Sequence, residues 1–276
     1  MKAALVQLNS SDNPDTNLDQ TLAFISEAAG QGAGFVLTPE VTNCVSQNRA
    51  HQEQVLQPED ADRTLAGLRQ AAAAHQVWLS VGSLALKTGD ADGRFANRSF
   101  LISPLGDIAA RYDKIHMFDV TVSENESYRE SAGYRPGGHA VVADAGFARI
   151  GLSICYDIRF AYLYRALAQA GADMIVVPSA FSPVTGAAHW EALLRARAIE
   201  TGAYILAAAQ TGTHQAQSGK ARQTFGHSMV ISPWGEVLVD MGTAPGVALV
   251  DLDPKEVAES RRRIPALNHD RDFEGP

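Results

Sequence analysis

A chain of 276 residues with 46% hydrophobic and 20% charged residues, 23 Gly and 12 Pro has the composition of a soluble globular protein. Its net charge of −8, with no basic tract beyond Arg261, Arg262 and Arg263, excludes an extended nucleic-acid surface, and no apolar run approaches the roughly 20 residues that span a bilayer. Two cysteines, Cys44 and Cys155, leave no disulfide framework and fit a reducing, cytoplasmic compartment, where the sequon-like Asn97-Arg98-Ser99 and Asn125-Glu126-Ser127 carry no meaning for glycosylation.

The opening MKAALVQLNS turns polar at Gln7 after a short apolar stretch, and reads as a first strand and not as a signal peptide. Leu18, Leu22 and Ile25 mark one face of a helix over about 16–30. Phe35-Val36-Leu37 has the continuous apolar character of a strand covered on both faces, and Thr38-Pro39 leads from it to Glu40. A strand over 107–112 precedes Lys114, whereas 116–134 shows no readable local pattern. An apolar strand over 150–154 ends at Cys155, and a helix follows from about Phe160 with Leu163 and Leu167 on one face. Met174-Ile175-Val176-Val177 reads as a further buried strand, with Phe181 beyond its carboxyl end. A helix over 187–201, opened by His189, places Trp190, Leu193, Leu194 and Arg197 on one face; Arg197 then needs a partner, and Glu200 is the obvious one. The Gly219-Lys220 pair has neither P-loop spacing nor the following Ser or Thr, no two histidines stand at i, i+4, and no paired cysteines occur, so neither cofactor nor metal is expected.

An internal repeat organises these elements. GAGFVLTPEV (32–41) aligns without gaps to GADMIVVPSA (171–180), and NRSFLISPLGDIAARY (97–112) to GHSMVISPWGEVLVDM (226–241). Each half thus runs helix, short buried strand ending in Pro, helix, strand, and a hairpin turned on Ser-Pro-x-Gly. Two such αβ layers, each with one bare sheet face, predict a four-layer α-β-β-α sandwich, an α/β fold with a pseudo-two-fold repeat, as a single domain over 1–276.

The chemistry-bearing residues stand where the halves differ. Cys155 occupies a strand-to-helix turn, where the helix dipole and free N–H groups would favour a thiolate; a buried structural cysteine is the bland alternative. Glu40 sits at the carboxyl end of a buried strand, and its counterpart in the repeat is Ser179. Lys114 has Thr243 as its counterpart, and an ammonium beside a thiol would depress the thiol pKa. An ordinary loop glutamate and a solvated lysine are the alternatives.

In this order the segments TPE, RYDKIHMFD and GLSICYDIRF resemble the Glu-Lys-Cys triad of the nitrilase superfamily of carbon–nitrogen hydrolases. The resemblance extends over essentially the whole chain, through AALVQLN, ESAGYRPG (130–137), TGAAHWEALLRARAIETGAYILAAAQTG (185–212), GHSMVISPWGEV (226–237) and RIPALNHDR (263–271). It is nearest to the Nit-type amidases, and among them to those described as deaminated glutathione amidases.

The resemblance implies that Glu40 is the general base, Cys155 the nucleophile, and that Lys114 with the backbone N–H of Tyr156 holds the oxyanion, while a thioester forms and ammonia leaves. It makes Glu130 a second carboxylate that supports the lysine or the base. Arg159 matches an arginine that clamps a substrate carboxylate in related hydrolases, against a salt bridge to Asp157 as the alternative. Phe181 is a candidate pocket wall and His189 a candidate substrate contact, with packing and capping as the other readings. The implied partner is a small carboxylate-bearing amide, with no nucleic acid or membrane, in a homodimer or higher homo-oligomer. An omega-amidase, a nitrilase, an idle binding subunit, and a Cys-His hydrolase using His116, His189 or His227 remain the alternatives.

Overall fold

The computed structural model describes residues 1–124, 126–217, 219 and 221–275. Asn125 of the second sequon, and Ser218 and Lys220 of the Gly-Lys stretch, lie outside the described residues. The layering is visible in the first strand, β1 (Lys2–Gln7), whose side chains alternate between two apolar cores. Ala3 and Leu5 join Phe35, Leu37, Leu152 and Val176, whereas Ala4 and Val6 join Ile25, Leu65 and Leu68. A strand buried on both faces needs a second sheet on one side and helices on the other.

The first half runs from β1 through α1 (Pro14–Gly30), β2 (Phe35–Leu37), α2 (Arg49–Val55), α3 (Arg63–His75), β3 (Trp78–Lys87) and β4 (Phe95–Ile102) to β5 (Ile108–Asp113). Two short strands follow, β6 (Asp119–Ser123) and β7 (Glu126–Arg129). The second half comprises β8 (Val141–Asp144), β9 (Arg149–Leu152), α4 (Ala161–Gln169), β10 (Met174–Val176), α5 (Pro183–Thr201), β11 (Tyr204–Ala207), β12 (Thr211–Thr213), β13 (Gln223–Phe225), β14 (Met229–Ile231) and β15 (Val237–Asp240). The chain then returns through β16 (Gly246–Asp251) to α6 (Lys255–Arg263). Helix α1 starts two residues before the predicted position because Asn13 caps the N–H groups of Asp15 and Thr16, and Pro14 suits the first turn. Residues 116–134, without a local pattern in sequence, hold the antiparallel β6–β7 hairpin.

The sheets have the orders β16-β1-β2-β3-β4-β5 and β15-β14-β11-β10-β9-β8. The repeat holds strand for strand. Phe35 of β2 pairs with Ala3 and Trp78, as Met174 of β10 pairs with Ile150 and Tyr204. Both Ser-Pro-x-Gly turns close alike: Gly106 and Gly235, at φ +81° and +89°, donate to Ser103 and Ser232 over 2.9 Å. The fold is therefore α/β, a four-layer α-β-β-α sandwich with an internal pseudo-two-fold, as the repeat predicts.

The two sheets meet at the carboxyl ends of their central strands. Leu8 exchanges backbone hydrogen bonds with Ala209 and Thr211. Beside this contact, an irregularity in β3 presses Gly82 against the loops that leave β2 and β10. A Cβ at Gly82 would lie 2.0 Å from the Thr38 carbonyl oxygen and 2.4 Å from Pro178 Cβ. Gly82→Ala must therefore separate these loops, and we expect a loss of about 3 kcal/mol in unfolding free energy by urea titration. A loss under ~1 kcal/mol would show that the contact yields freely.

Candidate active site

Of the two loops that converge on Gly82, the one after β2 carries Glu40, and the one after β10 anchors the Cys155 turn through the Pro178 carbonyl. Glu40 follows β2 by three residues and is 3% exposed. Its Oε1 accepts from Lys114 Nζ and Asn97 Nδ2, each at 2.9 Å, and its Oε2 accepts from the Ala180 N–H at 2.8 Å. Lys114, directly after β5, is 2% exposed and also donates to Glu130 Oε1 and Oε2 at 2.9 and 2.8 Å. Glu130 opens a one-turn 3-10 helix (Glu130–Ala132) and is held by the Phe118 N–H at 2.6 Å.

Cys155 begins a second 3-10 turn (Cys155–Arg159) at φ +50°, an uncommon conformation for a residue with a Cβ. Its N–H donates to the Pro178 carbonyl at 2.9 Å, and its thiol lies beside the Glu40 carboxylate, near enough for each to shift the other's ionisation. The next N–H, that of Tyr156, has no acceptor among the described residues. Asp157, fully buried, fixes the turn from behind. Its Oδ2 accepts from the Ile154 N–H at 2.9 Å and the Tyr112 hydroxyl at 2.6 Å, while His116 N–H and Nδ1 lie 3.0 and 2.7 Å from Oδ1. Tyr112 and His116 flank Lys114, so one carboxylate ties the lysine segment to the cysteine turn.

The electrostatics correct one expectation. Burial pushes the Cys155 thiol up, and the Glu40 carboxylate pushes it further; Lys114 opposes both without prevailing. Burial also opposes the Glu40 charge, but Lys114 and then Arg222 outweigh it and hold this carboxyl below its ordinary range. Burial likewise disfavours the Lys114 ammonium, yet Glu130 and Glu40 keep it charged. The lysine was expected to favour a thiolate. Instead its charge is shared between two carboxylates, and the resting thiol is neutral beside an ionised carboxylate.

Other sequence expectations fare unevenly. Phe181 lines the cavity, 5% exposed and packed 4.9 Å from Trp190. Arg159 and His189 do not line it. Arg159 makes no salt bridge to Asp157, which His116 occupies; its guanidinium lies 5.6 Å from the Phe181 ring and 3.3 Å from His189. His189 does not open its helix, because Ser182-Pro183 starts α5 two turns earlier and leaves His189 exposed. Arg197 pairs with Glu200 at 2.8 Å, as expected, and donates to the Ile158 carbonyl under the Cys155 turn. In the repeat positions, Ser179 Oγ donates to the Val177 carbonyl and the Thr243 carbonyl accepts from Thr211, both backbone roles.

Asn97, Asp157 and Arg222 were not singled out from sequence. Asn97 carried a signal: it is a polar residue where the repeat has Gly226. Arg222, in the loop before β13, carried none. The cavity has a volume of about 450 Å³. Among the described residues, no three His, Cys, Asp or Glu side chains converge as metal ligands. The arrangement can deprotonate a thiol as it attacks and then stabilise an oxyanion, the requirements of acyl transfer.

Comparison with known proteins agrees with this chemistry. A family model described as carbon-nitrogen hydrolase matches residues 2–262. The chain is 39% identical over 269 residues to a protein of Yersinia enterocolitica named deaminated glutathione amidase, covering 97% of this chain and 92% of that one. The NitFhit protein of C. elegans superposes with a TM-score of 0.89 at 33% identity, over 98% of this chain and 65% of that one. A variant of the amidase from Nesterenkonia sp. AN1, in which acrylamide has added to the active-site cysteine, superposes with a TM-score of 0.77 at 26% identity, over 96% of this chain and 98% of that one.

The neutral thiol can be tested directly. Iodoacetamide alkylation of Cys155, followed by peptide mapping to separate it from Cys44, should still be accelerating as pH rises through 9.0, the ordinary thiol value, because burial and Glu40 hold this thiol above it. Glu40→Gln removes the carboxylate that opposes the thiolate and leaves Lys114, so the alkylation midpoint should move down. A midpoint that is unchanged or raised in this variant contradicts the assignment.

Proposed function

The chain belongs to the carbon–nitrogen hydrolase family, and from that premise we propose that it is an amidase working through a thioester on Cys155. The observation that carries the reading is the contact set of one thiol, one carboxylate and one ammonium, all buried on the wall of a single cavity. Glu40 takes the thiol proton as Sγ attacks the amide carbonyl, because a neutral thiol in this setting needs a base. The oxyanion that forms is held by Lys114 Nζ and the Tyr156 N–H. Glu40 passes the proton to the leaving nitrogen, the carbon–nitrogen bond breaks, and a thioester remains. Water then attacks, losing its proton to Glu40, and Cys155 leaves with that proton restored. Glu130 holds Lys114 in place throughout, which its two hydrogen bonds to Nζ support.

For the substrate we propose a carboxylate-bearing amide of the deaminated glutathione type, supported by the names of the relatives. The reading extends to a single functional domain over 1–276, supported by an apolar cluster that joins Ala3 to Val257. It also extends to a homodimer, supported by the exposed Tyr162 and Ile199 on α4 and α5, and to a reducing cytoplasmic setting, supported by two free cysteines.

Mass spectrometry of protein mixed with deaminated glutathione should detect an acyl adduct on Cys155, absent from Cys155→Ala. Faster acylation by a short dicarboxylate monoamide would instead favour the omega-amidase reading. The pH profile is a second check. Glu40 is held below 4.5 and Cys155 above 9.0, so the competent pair, carboxylate and neutral thiol, persists between these values. kcat/KM should therefore be flat from about pH 5.5 to 8.5, falling only when acid protonates Glu40 or alkali ionises the thiol. A limb near pH 6.5, the range of an imidazole, would point to a histidine base.

A further inference from the structure

The cavity around Cys155 is basic, although the chain has a net charge of −8. Four basic side chains, Arg49, Lys114, Arg129 and Arg222, line it against two acidic ones, Glu40 and Glu130. A concave site of one sign with low-dielectric walls concentrates ligands of the opposite sign.

Two of these cations have an ion pair, and a third is turned to backbone carbonyls at the surface. Lys114 lies between Glu40 and Glu130. Arg49 pairs with Glu53 at 2.8 Å and donates to the Gly133 carbonyl at 2.8 Å. Arg129 is exposed, and its Nη1 donates to the Tyr128 and Val120 carbonyls at 2.8 and 3.2 Å. Arg222 differs. It is half-buried, one nitrogen donates to the Ala180 carbonyl at 2.6 Å, and its guanidinium carbon lies 6.0 Å from the Tyr128 ring. Among the described residues no carboxylate lies within the 4.0 Å of an ion pair.

The carboxylates around it are engaged elsewhere. Both Glu40 oxygens take bonds from Lys114, Asn97 and Ala180, and both Glu130 oxygens from Lys114, Asn97 and Phe118. Glu126 accepts from the hydroxyls of Tyr128 and Ser182. An arginine fork with one nitrogen anchored and no carboxylate in direct contact, Glu40 acting on it only across a distance, suits an incoming carboxylate or a similar planar anion.

We propose that Arg222 is the specificity-determining residue that binds the carboxylate of the substrate, the role the sequence had suggested for Arg159. The proposal rests on the amidase reading above and adds a carboxylate subsite to it. Its placement is set by one residue. The Ala180 N–H holds Glu40 Oε2, and the Ala180 carbonyl holds Arg222, so base and clamp hang from adjacent peptide groups. The separation of substrate carboxylate from scissile carbonyl is thereby measured against Cys155.

The test compares two amides of equal shape, glutaramic acid and 5-methylhexanamide, in which an isopropyl group replaces the carboxylate. Wild type should favour the first in kcat/KM. Arg222→Gln should lower kcat/KM for glutaramic acid about 100-fold, mainly through KM, and collapse the preference. Arg222→Lys should keep part of it. A preference unchanged in Arg222→Gln, even with both rates reduced, would show a merely structural arginine and overturn the proposal. Absence of any acyl-enzyme in wild type with deaminated glutathione as well as with both amides would overturn the amidase reading, and this one with it.

Discussion

A lysine ammonium removed from water is the constraint around which this molecule is arranged. Burying such a charge costs several kcal/mol unless opposite charges and hydrogen bonds meet it. Lys114 receives both, from Glu40 after β2 and Glu130 after the β6–β7 hairpin. Three separate segments are therefore held together by one group. Burial and the Glu40 carboxylate together outweigh the Lys114 charge at the neighbouring thiol, which therefore stays protonated.

The backbone is held with comparable care. Cys155 at φ +50° and Val41 at φ +47°, the residue after Glu40, both occupy a region that disfavours a side chain. Each is secured by its own N–H: Cys155 to the Pro178 carbonyl, and Val41 to Ser83 Oγ at 2.8 Å. Such conformations cost about 1–3 kcal/mol each and persist where the surroundings over-determine them. Gly82, wedged between the Thr38 and Pro178 loops, belongs to those surroundings.

The pseudo-two-fold explains the division of labour. Both halves build the same parallel strands and place the same proline at the carboxyl end of the second, Pro39 and Pro178. Chemistry enters only where they diverge. Glu40 serves as a carboxylate while Ser179 bonds to its own backbone, and Asn97 holds both acids while Gly226 has no side chain to offer. The sheets join where these ends meet, which is where an α/β fold gathers its ligands.

Sequence alone determined the sandwich, because apolar runs of period and length suited to doubly covered strands recur in two aligned halves. It also nominated Glu40, Lys114, Glu130 and Cys155, since the combined motifs are long and specific. Tertiary structure alone decided how they act. The charge state of Cys155 depends on burial and on Glu40, which lies 115 positions away in the chain. The cavity wall comes from the hairpin at 119–129 and the loop at Arg222, segments without apolar periodicity whose positions are set by contacts with distant residues. Arg159, near Cys155 in sequence, stops behind the cavity-lining rings of Tyr156 and Phe181, whereas Arg222, distant in sequence, lines the cavity and is anchored at Ala180. Local pattern reports which face of an element is covered, but a pocket is assembled from loop ends, and only packing decides which of them meet.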